Sequence, residues 1–335
     1  MRKASSFLLS ATLLDVIKSI SYDIFRRKFE SPYCLFIGAG CSVPFIDSTS
    51  VLERDLLHDL FPSASTRKEE EELLRQTLSK IDLPSRVRLE TVCEAYKYLR
   101  SYEALVSFLA SRFKRGFEIP EGYRCLARLV AKGYFRIIFT TNLDELCEDA
   151  LNAELDKDAC KRFVTEEDFL QPIRETKPRL YKLHRTYSNP TPDVCWNDVK
   201  QLHKNKGEHL IHFWANYNFI FVGYSVDDLD IFTTLQSIEA GKREKLATFW
   251  FTKGEPSERI SDVMSKYSKM GNVISVGDLR SGSDLFTMME NALSPLEQRE
   301  EMFRMWTQAD TLLSSMEQQL HDFRGIVERL KRPQT

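Results

Sequence analysis

The chain lacks most of the features that announce a function at sight. No apolar run approaches the about 18 residues that would cross a membrane, so no membrane partner is expected. The formal net charge is only −2, from 47 Lys and Arg against 49 Asp and Glu, so no overall field draws the protein to nucleic acid. Gly-Lys-Ser/Thr does not occur, which excludes an ordinary P-loop. Seven cysteines are present, but no two form a Cys-x-x-Cys pair, so neither a zinc ribbon nor any other metal site is expected.

The cysteines are odd in number and scattered through apolar stretches such as YCLFIGAG and GYRCLARLV. They read as reduced, partly buried thiols of a reducing compartment, and a cytoplasmic location follows. The N-terminal SSFLLSATLL has the outline of a signal peptide, but Asp15 and Lys18 interrupt it and no small-residue cleavage site follows. Leu9, Leu13, Val16, Ile17 and Ile20 instead recur at the spacing of an amphipathic helix.

What is present is a soluble-protein composition: 335 residues, 42% hydrophobic and 29% charged, enough for a sizeable core. Short apolar runs at Tyr33–Ile37, Phe135–Thr140 and Phe219–Val222 each end in small or polar residues, as strands buried on both faces do. Leu246–Thr252 and Asn272–Val276 extend the series. Helical stretches lie between them, so the expected fold is α/β, a doubly wound, Rossmann-like parallel sheet. Residues from about 51 to 130 read as a helical insertion, with the charge run Lys68–Glu72 on a solvated face. Residues 153–200 read as polar and irregular, punctuated by Pro172, Pro178, Pro190 and Pro192. The organisation expected is a main domain over 1–294 and a C-terminal helical segment over 295–335. In that segment the apolar positions Met302, Met305, Leu312, Leu313, Met316, Leu320, Phe323, Ile326, Val327 and Leu330 form one stripe. Such a stripe packs back on its own domain or binds another chain.

Four short motifs carry the chemistry. The strand Tyr33–Ile37 runs into Gly38-Ala39-Gly40-Cys41-Ser42, a tight turn that lets backbone approach a phosphate. It lacks the third glycine of the dehydrogenase fingerprint, since Val43 stands there. The second strand ends in Thr140-Thr141-Asn142-Leu143-Asp144, where Asn142 suits a ribose hydroxyl or a water and Asp144 suits a helix cap. Arg179–His184 ends in a histidine, the natural general base near neutral pH if it faces a pocket. The last strand ends in Gly223-Tyr224-Ser225, followed by Asp227, Asp228 and Asp230. Each motif, taken singly, also reads as a capped helix or a core residue.

Their order resembles the sirtuin-like (SIR2-type) family over about residues 30 to 235, closest to the bacterial antiphage-defence branch of NADases. The resemblance implies that NAD⁺ is the substrate. Gly38, Ala39, Gly40, Cys41 and Ser42 would cradle the diphosphate. Thr141, Asn142 and Asp144 would form the nicotinamide-ribose side, with Asn142 positioning the attacking water. His184 would be the catalytic histidine, and Gly223, Tyr224, Ser225 and Asp228 would lie on the adenosine side. The family usually has Lys-Leu-His-Gly-Ser where this chain has Arg185 and Thr186 after His184. The family's deacylases also carry a paired-cysteine zinc module, where this chain has only Cys195.

These departures imply hydrolysis of NAD⁺ rather than deacylation. The expected role is an abortive-infection effector that depletes NAD⁺ once assembly activates it. A homo-oligomer is expected, with a separate sensor subunit that is a HerA-like ATPase or an Argonaute-like protein. The alternatives left open are a deacylase or ADP-ribosyltransferase using the same pocket, and a subunit that binds NAD⁺ or ADP-ribose without turnover.

Overall fold

A computed structural model describes residues 13–27, 33–85, 87–113, 118–156, 159–171, 177–187, 193–200, 202–267, 270–277 and 279–330. Leu9, Pro172, Pro190 and Pro192 lie outside the described residues. Seven strands form one sheet: β1 Tyr33–Ile37, β2 Phe135–Thr140, β3 Lys161–Phe163, β4 Arg179–Lys182, β5 Asn218–Val222, β6 Ala247–Thr252 and β7 Met270–Ser275. Their order is β3-β4-β2-β1-β5-β6-β7, and every pairing is parallel. The chain first builds outward from β1 through β2 to β4 and β3, then returns to add β5 on the other flank of β1. The strand order therefore switches at β1, and a switch point leaves a crevice at the carboxyl ends of the strands.

Why β1 sits at the centre is visible in its residues. All five are buried, and alternation sends Tyr33, Leu35 and Ile37 into one core and Cys34 and Phe36 into the other. Phe36 registers with Phe139 on β2 and Phe221 on β5. That side is an aromatic layer in which Phe221 stacks on Trp250 with ring centroids 3.8 Å apart. Helices α9 (Lys204–Asn216), α10 (Leu229–Gln236) and α11 (Glu258–Tyr267) cover it, through Phe213, Ile231 and Val263 among others.

The opposite face is covered by α1 (Leu13–Arg27), by α6 (Glu121–Ala131) and by the helical insertion, with α7 (Leu146–Glu154) following β2. The insertion comprises α2 Thr49–Leu60, α3 Arg67–Lys80, α4 Leu89–Leu99 and α5 Tyr102–Phe113. The region read as irregular, 153–200, holds the two strands β3 and β4, together with the four-residue helix α8 (Trp196–Val199). Their brevity, three and four residues, leaves no run long enough for a periodicity to show.

The last helix, α12, spans Asp284–Leu330 and passes through Pro295 without a break. It begins ahead of the expected boundary because Leu285, Phe286, Met289 and Leu293 belong to the main core. Further along, Met302, Phe303, Met305, Trp306, Leu312, Leu313 and Met316 each keep 59% to 69% of their surface. No described helix is long and apolar enough to cross a membrane.

Candidate functional site

Four strand ends converge on a cavity of about 450 Å³, a size that suits a small-molecule ligand. Its wall takes Ala39, Gly40 and Ser42 after β1, and Thr141, Asn142 and Asp144 after β2. His184 follows β4, and Gly223, Tyr224, Ser225 and Asp228 follow β5. The four sequence motifs are thus brought to one place.

The glycines are required by how closely these ends touch. Gly40 donates its amide to the Gly223 carbonyl at 2.9 Å, and a Cβ on Gly38 would stand 2.4 Å from that same oxygen. Gly223 has φ +64, and a Cβ there would meet the Cys41 nitrogen at 2.6 Å. The amides of Gly38, Gly40, Cys41 and Ser42 are all donated to nearby carbonyls. The turn thus offers a ligand close approach rather than those donors. Cys41 is placed apart from the other predicted residues: its buried thiol points to the Val222 carbonyl, and burial pushes its pKa well up.

Ser42, Asn142 and Asp144 form one network. The Ser42 hydroxyl donates to Asp144 Oδ2 at 2.8 Å, so the Tyr123 hydroxyl, 2.8 Å away, donates to Ser42. Asn142 Nδ2 donates to both Gly38 O and Ser42 Oγ at 3.2 Å. Its amide hydrogens are spent on the scaffold, and Oδ1 is left buried without a partner. Asp144 Oδ1 caps α7 through the Leu146 amide. Beneath them the wholly buried Lys182 donates to the Asp144 carbonyl at 2.6 Å and pairs with Glu148 at 2.7 Å.

His184 is held through Nε2 by Asp230 Oδ2 at 3.0 Å. Burial pushes the imidazole down, but the charge and hydrogen bond of Asp230, with the charge of Asp228, outweigh it and raise the pKa to about 9. The two carboxylates thus favour the protonated ring. Asp228 is itself shifted upward, first by burial and then by Asp230 against the opposing charge of His184.

Arg185 adopts φ +65, a left-handed conformation that glycine takes at less cost. Its guanidinium reaches Glu166 at 3.3 Å and Asp193 at 3.4 Å. Beyond His184 and Arg185 opens a second cavity of about 790 Å³, polar and partly lined by Lys97, Lys200 and Lys206.

Sequence reasoning missed three participants. Tyr123 reads as a core aromatic of α6, and Lys182 as an edge residue of a strand. Glu90, at the start of α4, also lines the main cavity. It carries no signal of its own, because an acid in a helix's first turn is commonplace. Among the described residues no group of three or more His, Cys, Asp or Glu is set to hold a metal.

Residues 136–269, from β2 to the end of α11, match the SIR2-like domain family. The middle of the chain resembles a SIR2-like domain. That stretch contains Asn142, His184, Gly223, Ser225 and Asp228. Comparison with curated proteins gives no match. Among solved structures, one described under the structural basis for the mechanism and regulation of Sir2 enzymes is 13% identical, with a TM-score of 0.44. It covers 85% of this chain and 99% of its own. A Sir2 homologue solved as an NAD complex is 13% identical over 86% of this chain and 96% of its own, with a TM-score of 0.49.

Proposed function

We propose that the chain is an NAD⁺ hydrolase that cleaves the nicotinamide–ribose bond, giving nicotinamide, ADP-ribose and a proton. One observation carries the reading. Within a SIR2-like stretch, Asn142 spends both amide hydrogens on the scaffold and presents an unpartnered Oδ1 in a cavity shared with His184 and Gly223–Ser225. A buried acceptor without a partner is costly unless a ligand supplies the donor. A ribose hydroxyl or the attacking water is such a donor.

Bond cleavage develops positive charge on the ribose, so the site needs alignment and electrostatics more than a strong nucleophile. Asn142 orients the acceptor. His184, cationic and steadied by Asp230, donates to a ribose hydroxyl through the nitrogen that Asp230 does not hold. The base role expected of it from sequence belongs to the neutral ring, which Asp230 withholds below about pH 9. Asn142→Ala and His184→Ala are expected to lower nicotinamide release by about 10²-fold or more while the protein stays folded. Release at the wild-type rate in either variant would sink the assignment.

The same reading makes the protein an antiphage effector that is silent until assembled with a separate sensor, a HerA-like ATPase or an Argonaute-like subunit. The exposed stretch of α12 supports self-association, because seven large apolar side chains on one helix have no cover. Removing residues 301–335 spares the buried start of α12 and is expected to leave a monomer by light scattering. A truncated chain with the mass of the full one would remove α12 from that role.

A further inference from the structure

We infer that Glu90, supplied by the helical insertion, is a catalytic carboxylate that faces the reacting ribose and takes the proton of the attacking water. The inference deepens the hydrolase reading and rests on it.

Glu90 is delivered to the cavity by an anchored helix end. Arg88, at the start of α4, donates to the Asp227 carbonyl at 2.7 Å, and Arg259 donates to the same oxygen at 2.6 Å. The insertion is thereby tied to the loop that follows β5. The cap of α4 is closed by Thr91, whose hydroxyl accepts from the Arg88 amide at 3.1 Å, and the Glu90 carboxyl takes its own amide there. Its Oε2 is buried without a hydrogen-bond partner. Among the described residues, no Lys or Arg lines this cavity. A carboxylate kept only for structure would be paired.

The chemistry needs a base, and His184, Asp144 and Asp193 are already engaged. His184 has Nε2 on Asp230, and the carboxylates favour its protonated form. Asp144 accepts from Ser42 with one oxygen and from the Leu146 amide with the other. Asp193 pairs with Lys206 at 2.6 Å and with Arg185. Asp228 begins α10 on the β5 side of the cavity, bonded by the Tyr224 hydroxyl and facing the charge of His184. Glu90 takes its own backbone amide but keeps Oε2 without a partner, within electrostatic reach of Asp228, Arg88 and His184. Burial first, and then the charge of Asp228, push its carboxyl upward, which makes it a better base near neutrality.

In the step, nicotinamide leaves with the electron pair of the C–N bond, neutralising its ring nitrogen. The water oxygen bonds to the ribose carbon, and the water's proton passes to Glu90 and then to solvent. The negative carboxylate also opposes the positive charge that develops on the ribose.

The test uses the full chain and Glu90→Gln, with nicotinamide release followed against pH and thermal unfolding measured in parallel. The expected result is a kcat lower by about 10²-fold with KM within about three-fold. The acidic limb of the wild-type profile should vanish, and the variant should unfold at the wild-type temperature or above. A variant with wild-type kcat and the same acidic limb overturns the inference and leaves the hydrolase reading standing. So does a variant that unfolds well below wild type, because Glu90 would then be structural. A wild-type chain that releases no nicotinamide, alone or with the proposed sensor subunit, overturns the hydrolase reading and the inference with it.

Discussion

The polar groups beneath the strand ends and those above them are treated in opposite ways. Beneath, Lys182, Glu148, Asp144, Ser42 and Tyr123 are deeply buried and engage one another through ion pairs and hydrogen bonds of 2.6–2.8 Å. Above, Asn142 Oδ1 and Glu90 Oε2 are buried with neither hydrogen bond nor ion pair, whereas Glu148 below at least keeps the Lys182 cation. Asn142 and Asp144 come from the same loop after β2, yet one oxygen is left open and the other carboxylate is fully engaged. The lower set fixes the loops. The upper set stays open, at a cost in stability that NAD⁺ would offset under the proposed function.

The largest expected effect falls on the lower set. Lys182→Met leaves Glu148 buried without its cation and is expected to cost about 3–5 kcal/mol in denaturant unfolding. Lys182→Met with Glu148→Leu should recover most of that loss. A single variant as stable as wild type would mean that the pair is not part of the scaffold. Next comes the upper set. Asn142→Ala should cost only about 1–2 kcal/mol of stability, for two lost hydrogen bonds, against a loss of about 10²-fold or more in nicotinamide release. Equal damage to both would erase the comparison.

His184 and Asp230 give an intermediate, pH-dependent effect. The folded-state pKa of about 9 lies above the unfolded value, so the pair's stabilisation is present in full below about pH 6.5 and is lost as pH rises toward 9. Asp230→Asn should return the ring toward about 6.5 and flatten that loss. Titration of the imidazole by NMR reads it directly, and an unchanged titration would show that Asp230 does not control the ring. The smallest effect is expected at Arg185. Arg185→Gly relieves a left-handed residue but gives up partly exposed ion pairs, so stability should move by less than about 1 kcal/mol. A loss several times larger in thermal unfolding would mean that the ion pairs, not the backbone, govern this turn.

The fold was legible where strands are long and buried. β1, β2, β5 and β6 stand within one residue of where their apolar runs put them, because an all-buried strand leaves a continuous signature. β3 and β4 left none, being three and four residues long. In the candidate site, Gly38, Asn142, His184 and Gly223 were legible because turn chemistry at strand ends is local. The partners were not. Tyr123 donates to Ser42 across 81 residues, and Asp230 holds His184 across 46, distances that only the folded chain closes. Glu90 was invisible for the same reason: nothing near it in sequence shows that its first turn opens on a cavity lined by the ends of β1 and β5.

The most direct test is to incubate the full chain with NAD⁺ and no other substrate, with and without the proposed sensor subunit, and to follow every ADP-ribose moiety by mass. An NAD⁺ hydrolase gives nicotinamide and free ADP-ribose in equal amounts, with no ADP-ribose left on protein and none formed by Asn142→Ala. Intact NAD⁺ under both conditions, or ADP-ribose attached to protein in place of the free product, would contradict the hydrolase reading.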